Sequence, residues 1–297
     1  MMADVVIAIL KVNLAAAVAI LVVLCLRGVV RKRLGAETAY ALWLIVPPAA
    51  LASFLPALRT LPAHAMEPGL ADFLHRTPML AGGLLALWLV GAAILLRRLW
   101  QSQARFMRKV ARGEAGPAIV GVIDPQLVLP SDFAERFTPR EQSLIRAHER
   151  VHMDRDDPRA NALVAVLRCI AWFNPLIHMA AERIRLDQEL ACDAAVVARF
   201  PKERRAYAET MLKSQLAEHV VPVGCSWQAT GKHPLEARIA MLREPSPSAN
   251  RQTLGRILTG LLVVAAVVSV WSALPPRPLE PPPAQASQPV MDIMIVR

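Results

Sequence analysis

The chain has 297 residues, of which 55% are hydrophobic and 5% aromatic, and its mean hydropathy is +0.36. This apolar content excludes an ordinary soluble domain. The formal net charge of +10 gives little support for nucleic-acid binding, because the basic residues form no patch with interleaved aromatic side chains.

Four apolar blocks are each about as long as a helix that crosses a hydrocarbon layer of ~30 Å. They are residues 5–26, 39–58, 79–96 and 257–274. One such block could be a buried helix of a soluble protein, but four in one chain favour a membrane protein. The first block is not expected to be a cleaved signal peptide, since no positive segment precedes it and "RGVVRKR" follows it.

Basic residues flank these blocks on one side of the predicted membrane. They are Arg27, Arg31, Lys32 and Arg33 after the first block, Arg97, Arg98, Arg105, Arg108 and Lys109 after the third, and Arg251 and Arg256 before the fourth. Residues 59–78 are poor in Lys and Arg. The positive-inside rule therefore predicts that residues 97–256 are cytoplasmic and that both termini are outside.

The four cysteines form no CxxC pair. They are Cys25, Cys169, Cys192 and Cys225. Three of them fall in the predicted cytoplasmic segment, where disulfides are not expected. Cys25 and Cys169 lie in apolar runs and are predicted to be small core residues.

The segment after the third block begins with a basic amphipathic helix at 97–112, which suits a membrane surface. β-Branched residues around an Asp-Pro turn predict a short hairpin at 118–130. Thr138 as N-cap, Pro139 at the first helical position and Glu141 in a capping box then predict the start of a helix.

Asp157-Pro158 is expected to end or bend that helix. Further helices are predicted at 159–173, 175–199, 203–219 and 233–242. The helix at 159–173 is too short and too interrupted to be assigned as a membrane span. Pro47-Pro48 should kink the second apolar block.

The helix that begins near Thr138 carries the sequence "HERVH", an HExxH pattern. His148 and His152 are four positions apart, so they share one face and can bind one metal ion. Glu149 can reach a metal-bound water, remove its proton for attack on a peptide carbonyl, and return it to the leaving amine. The alternative is a solvated helix on which Glu and His pair, so the pattern depends on its context.

A third ligand is available in "LDQELACDAAV", on another predicted helix. Glu189 can complete a zinc site that keeps one open position. Asp193, one turn further along, can accept the free N–H of a ligand histidine. This spacing is also common on solvated helices. Other candidate ligands are Asp154, Asp156, Asp157, Glu182, Asp187 and His178, and the unranked candidates for oxyanion stabilisation are Tyr207, Arg183 and Arg185.

The segments "LIRAHERVHMDRDD", "WFNPLIH", "RLDQELACDAAV" and "HPLEARIAML" occur in this order between the third and fourth blocks. Together they resemble the BlaR/MecR-type membrane metallopeptidases over about 275 residues. The resemblance implies a gluzincin-type zinc protease domain on the cytoplasmic side of a bacterial inner membrane. It also implies β-lactam sensing by an outside penicillin-binding domain, loss of a cytoplasmic DNA-binding repressor, and self-cleavage. The ExxxD pattern is also similar to that of the HtpX/CAAX-protease group.

The chain departs from the sensor pattern after the fourth block. About 23 residues follow, they begin as a Pro-rich spacer, and they contain no Ser-x-x-Lys motif. We therefore expect this chain to lack the penicillin-binding sensor domain.

The predicted fold is a mainly α polytopic membrane protein with four transmembrane helices and a helical, gluzincin-like cytoplasmic zinc-protease domain that carries a short β-hairpin. The predicted units are residues 1–96 with three transmembrane helices, the peptidase domain 97–256, the fourth transmembrane helix 257–274 and the extracytoplasmic tail 275–297.

The predicted function is a Zn²⁺-dependent endopeptidase of the antirepressor type. It would use Glu149 as general base and His148, His152 and Glu189 as zinc ligands. Asp193 would accept a hydrogen bond from a ligand histidine. Its expected partners are a cytoplasmic protein such as a DNA-binding repressor and the lipid bilayer, without direct nucleic-acid contact. A homodimer or a separate sensor protein is left open. The alternatives are an HtpX-like quality-control protease and a non-catalytic membrane receptor or scaffold.

Overall fold

The computed structural model describes residues 1–61, 69–215, 234–245 and 247–278, and this part of the chain is mainly helical. The α-helices are α1 (Met2–Leu34), α2 (Ala36–Ala41), α3 (Val46–Ala52), α4 (Leu70–Arg76), α5 (Pro78–Ala111), α6 (Phe133–Arg136), α7 (Pro139–Asp154), α8 (Asp157–Ile170), α9 (Pro175–Arg199), α10 (Arg204–Gln215), α11 (Pro234–Arg243) and α12 (Ala249–Ser272). Short 3₁₀ helices are Leu42–Ile45 and Pro201–Glu203, and the strands are β1 (Thr60–Leu61), β2 (Ala118–Val120), β3 (Gln126–Val128) and β4 (Arg277–Pro278). Cys225, the end of the predicted helix 203–219 and most of the tail lie outside the described residues.

Three of the described helices, α1, α5 and α12, are long and apolar enough to cross a membrane. Only 11% of the most apolar window of α5 and of α12 is buried inside the protein. Their side chains therefore face outward, as expected where lipid covers them. The first, third and fourth apolar blocks therefore form helices of the predicted kind, long and apolar enough to cross a membrane. α5 also continues without a break through the predicted basic helix 97–112.

The second apolar block is divided into short helices. α2, the 3₁₀ turn and α3 together cover residues 36–52 and end before the predicted limit at residue 58. Pro47 and Pro48 lie in the first turn of α3. A helix can tolerate proline there because the first N–H groups have no intrahelical acceptor. A second crossing of the membrane stays a prediction.

The start of α7 has the predicted cap. The Thr138 hydroxyl accepts a hydrogen bond from the Glu141 amide, and the Thr138 amide donates to Glu141 Oε2 at 2.8 Å. Asp156, with φ 57°, is in the left-handed region and separates α7 from α8. The predicted hairpin is also confirmed, since β2 and β3 pair antiparallel with Ala118 opposite Val128.

α9 joins two hydrophobic cores. Its first half packs among α1, the 3₁₀ turn and α12, where Ile20, Val23 and Ile45 are almost fully buried. Its second half contributes Val196 and Val197 to a core with α7, α10 and α11. Burial of one continuous helix in both cores fixes its second half, which carries Glu189, relative to the candidate spans. Cys169 and Cys192 are buried and form no disulfide. Cys25 was predicted from the sequence to be a core residue, but in the structure it is exposed.

Candidate metal centre

α7 and α9 bring His148, His152 and Glu189 to one point. The two histidine Nε2 atoms are 3.1 Å apart. Glu189 Oε2 is 3.3 Å from Nε2 of His148, and Glu189 Oε1 is 3.6 Å from Nε2 of His152. All three residues are buried. The structure thus joins the residues that the sequence proposed as ligands, although they come from two helices about 40 positions apart.

These spacings fit one metal ion. A tetrahedral ion with bonds of about 2.1 Å holds neighbouring ligand atoms about 3.4 Å apart. The three measured separations lie close to that value, and two nitrogens with one carboxylate oxygen are a donor set that suits a transition metal.

The outer nitrogen of His148 is fixed by a hydroxyl. Tyr207 Oη donates to Asp193 Oδ1 at 2.7 Å, so its oxygen accepts the Nδ1–H of His148, also at 2.7 Å. Asp193 Oδ1 is 3.4 Å from the same Nδ1. Burial and the Asp193 charge raise the pKa of Tyr207, which keeps the hydroxyl protonated. Tyr207, considered from sequence as an oxyanion donor, therefore lies behind His148 with both hydrogen-bonding partners in place.

The outer nitrogen of His152 is fixed by a buried carboxylate. His152 Nδ1 donates to Asp157 Oδ2 at 2.8 Å, and the Tyr40 hydroxyl donates to Asp157 Oδ1 at 2.9 Å. Asp157 is fully buried. The sequence placed Asp157 at the helix end and among the other candidate ligands, and the structure instead places it behind the ligand histidine His152. Its position five residues after His152, at the start of the next helix, was the available signal.

The two hydrogen bonds determine which atoms face the centre. Since both Nδ1 atoms carry the proton, both Nε2 atoms present lone pairs to each other at 3.1 Å. Two such lone pairs repel unless a metal ion or a shared proton lies between them, and the carboxylate of Glu189 beside both nitrogens adds further donor oxygens. This arrangement suits a bound metal ion.

Arg238 on α11 neutralises the acidic side of the centre. It donates to Asp193 through Nε at 2.6 Å and Nη2 at 2.5 Å, and its Nη1 lies 2.9 Å from Glu189 Oε2. Arg238 is almost fully buried. Although burial alone would raise the pKa of Glu189, Arg238 and the two histidines lower it well below its usual range. The sequence contained Arg238 in "HPLEARIAML" without assigning it a role.

Glu149, the residue after His148 on α7, has a buried carboxylate oxygen without a hydrogen-bond partner among the described residues. This oxygen is Oε2, and the side chain as a whole is buried. A buried carboxylate oxygen without a partner is costly unless a water or ligand fills the position. Glu149 is therefore available to bind a water or a ligand group.

A second group of ligand-type side chains shares His152. Cys192 Sγ is 3.2 Å from His152 Nδ1 and 3.6 Å from Asp157 Oδ2. Burial raises the pKa of the Cys192 thiol to about 12. Because His152 Nδ1 donates its proton to Asp157 Oδ2 at 2.8 Å, that nitrogen has no lone pair for a metal on this side. We therefore assign this group to the support of the imidazole.

The other candidate ligands lie elsewhere. Asp187 is buried in an ion pair with Arg27, with two contacts of 2.7 Å, and accepts a hydrogen bond from Trp43 at 2.9 Å. His178 bonds the Trp172 carbonyl. The exposed candidates are Asp154, Asp156, Glu182 and Arg183, and Arg185 is partly buried.

Comparison with known proteins gives a consistent result. A family model described as BlaR1 peptidase M56 matches residues 7–79 and 71–242. The chain is 30% identical over 118 residues to the regulatory protein BlaR1 of Bacillus licheniformis, an alignment that covers 38% of this chain and 20% of that protein. It is 26% identical over 162 residues to the methicillin resistance mecR1 proteins of Staphylococcus aureus (strain Mu50 / ATCC 700699) and Staphylococcus epidermidis, covering 52% of this chain and 28% of each relative. The chain therefore spans less than a third of the curated relatives it matches.

Proposed function

Because this chain belongs to the BlaR1 peptidase M56 family, we propose that it is a membrane-bound, zinc-dependent regulatory endopeptidase. Its substrate would be a cytoplasmic protein such as a DNA-binding repressor, and it would also cut itself. The observation that carries this proposal is the pair of facing Nε2 atoms of His148 and His152, closed by the carboxylate of Glu189.

His148, His152 and Glu189 would hold the ion and leave a fourth position open. When bound, zinc polarises a carbonyl and lowers the pKa of a water towards ~7. Glu149 takes the proton of the attacking water with its unpartnered oxygen and later gives it to the leaving amine.

The remaining residues of the centre hold the ligands. Tyr207, backed by Asp193, keeps the proton of His148 on Nδ1, and Asp157 does the same for His152. Such support orients the imidazole and increases its basicity as a ligand. Arg238 balances the charge of two buried carboxylates.

The proposed topology has four crossings, with both termini outside and the peptidase segment in the cytoplasm. The starts of α1 and α5 pack together through Val6 and Ala81, so the chain between these helices has to return across the membrane. Residues 36–52 are the apolar segment available for that return. Trp271, at the end of α12, donates to the carbonyl of Pro56 at 2.8 Å, which supports a shared outer side.

The names of the relatives, a regulatory protein and methicillin resistance proteins, favour regulated proteolysis in an antibiotic response over general quality control.

The test uses the full chain in lipid nanodiscs, with a repressor encoded by a neighbouring gene as candidate substrate and self-cleavage as a second readout. Wild type should bind one zinc and cleave. Glu149→Ala should keep the zinc and lose cleavage, whereas Glu182→Ala, at an exposed position of α9, should behave as wild type. Equal cleavage by wild type and Glu149→Ala would refute the role of Glu149 as general base. A well-folded wild type that binds no zinc would refute the proposal of a zinc-dependent peptidase.

A further inference from the structure

The turn between α8 and α9 contacts the middle of two candidate spans. Trp88 of α5 donates through Nε1 to the carbonyl of Ile170 at 2.8 Å, and Trp172 Nε1 donates to the carbonyl of Trp88 at 3.4 Å. On the other side, Asn174 Nδ2 donates to Asn13 Oδ1 of α1 at 3.3 Å. Polar contacts between helices are typical of membrane interiors, where water offers no alternative partner.

The turn between α8 and α9, which forms the tip of this pair of helices, packs closely against α5. A Cβ atom added to Gly91 would lie 2.5 Å from Cε2 of Trp172, so the indole ring packs directly on the α5 backbone. Small residues permit this approach between membrane helices. Gly83, on the same helix, has no atom within 4 Å of such a Cβ.

The contacts of α1 with α9 give the depth of the tip. Asn174 lies beside Asn13, and Asp187 lies beside Arg27. At 1.5 Å per residue, each of these helices covers about 20 Å between the two contacts. With Arg27 at the polar boundary of a hydrocarbon layer of ~30 Å, the tip lies well inside that layer.

The packing of α9 agrees with this depth. Its first half joins a core formed with the candidate spans α1 and α12. The α9 members are Leu176, Ile177, Ala180 and Ile184, and the α12 members are Leu262, Val263, Ala266 and Val270. The second half of α9, which carries Glu189, is outside this core.

The outer face of α8 is an exposed apolar stripe. Leu163 is 54% exposed, Leu167 40% and Ile170 37%, at positions i, i+4 and i+7. Phe173 continues the stripe into the turn with 39% exposed. Single exposed apolar residues are ordinary on a soluble protein, but a continuous stripe beside a candidate span indicates a covered surface.

Charge is nearly absent from the same region. Between Leu163 and Ala181 the sequence contains one formally charged residue, Arg168. Its Nε is directed at α9 and donates to Nδ1 of His178 at 3.4 Å. Polar groups within a membrane face the protein interior and pair there, so the outer face stays apolar.

We propose that α8 and the start of α9, up to Ala181, form a re-entrant hairpin that enters the bilayer between α1 and α5, with the stripe covered by lipid acyl chains. Lipid is favoured over a second protein copy because the stripe adjoins α5, whose apolar surface is also open. Non-spanning segments are tolerated at membrane depth when other helices shield their ends, as the Trp88 and Asn13 contacts do here.

The test places the photoreactive residue p-benzoylphenylalanine at Phe173 or at Leu167 in the full chain, reconstituted in phosphatidylethanolamine and phosphatidylglycerol vesicles. After irradiation, mass spectrometry locates covalent lipid adducts. Val90 of α5, 57% exposed, is the control for a lipid-facing site, and Leu212 of α10, 43% exposed, is the control for an exposed site on the peptidase side.

We expect acyl-chain adducts at Phe173, Leu167 and Val90, and at least tenfold fewer at Leu212. Headgroup adducts alone would place the hairpin on the membrane surface, and covalent protein dimers would show a second copy on the stripe. Either result overturns the proposal, as does the absence of adducts at both hairpin positions. Loss of the Val90 adduct overturns it as well, because the proposal requires α5 to cross the bilayer. Zinc binding and cleavage are separate readouts that test only the proposed function.

Discussion

Replacing Asp157 tests how the metal centre is held. Two donors point at this carboxylate, His152 Nδ1 at 2.8 Å and the Tyr40 hydroxyl at 2.9 Å. Asparagine keeps one acceptor oxygen but loses the charge, whereas alanine loses both. Removing such support of a ligand histidine costs 10–100-fold in metal affinity. We therefore expect zinc affinity to fall about 10-fold in Asp157→Asn and about 100-fold in Asp157→Ala, or about 1.4 and 2.7 kcal/mol.

The assay is competition for zinc between the purified full chain and a chromophoric chelator. Asp156→Asn is the matched control, because it removes the same charge one residue away. Asp156 is exposed, its ion pair with Arg159 lies on the surface, and its left-handed backbone accepts asparagine. Unchanged zinc affinity in Asp157→Ala would refute the role of this carboxylate. Equal losses of zinc affinity in Asp156→Asn and Asp157→Asn would show that the effect comes from net charge alone.

The remaining predictions concern the other supports of the fold. Tyr207→Phe should lower zinc affinity about 10-fold by removing the acceptor behind the first histidine, and equilibrium dialysis against labelled zinc measures this. Arg238→Met should destabilise the protein by about 3–5 kcal/mol in chemical unfolding, because two buried carboxylates lose their cation; Arg243→Met, at an exposed site on the same helix, should change it by less than about 0.5 kcal/mol. Gly91→Ala should lower the thermal unfolding temperature, because overpacking costs about 1–3 kcal/mol against the indole ring at the hairpin tip. Gly83→Ala, with open space at its Cβ, should leave that temperature unchanged or raise it; equal behaviour of the two glycine variants would contradict the close fit.

Local signals made several elements predictable. Thr138, Pro139 and Glu141 define the start of α7 through contacts within four residues. Asn174 accepts from the amide of Leu176 and Pro175 occupies the first turn, so α9 has the predicted bounds 175–199. Because the two HExxH histidines lie on one helix face, their shared direction also follows from local geometry.

The missed residues depend on contacts that no local pattern records. Asp157 acts through burial against Tyr40, which is more than 100 positions away. Arg238 reaches Asp193 from α11, 45 positions further along the chain. A charged residue in a short polar segment looks solvated until the packing of other helices encloses it.

Hydropathy likewise treats each segment alone. The second apolar block has the composition of one helix, but the position of Pro47-Pro48 requires a new helical start. α8 is too short to be recognised as a span, and only its outer stripe of Leu163, Leu167 and Ile170 is both apolar and exposed.

The ion pair between Arg27 of α1 and Asp187 of α9 has a mechanical consequence. Asp187, held by Arg27 and Trp43, lies two residues before Glu189 on the same rigid helix. We therefore expect a sliding or rotation of α1 to displace the carboxylate of Glu189 relative to the two histidines on α7, because Glu189 lies less than one helical turn from Asp187. The candidate span α1 and the proposed third ligand are mechanically connected through this ion pair.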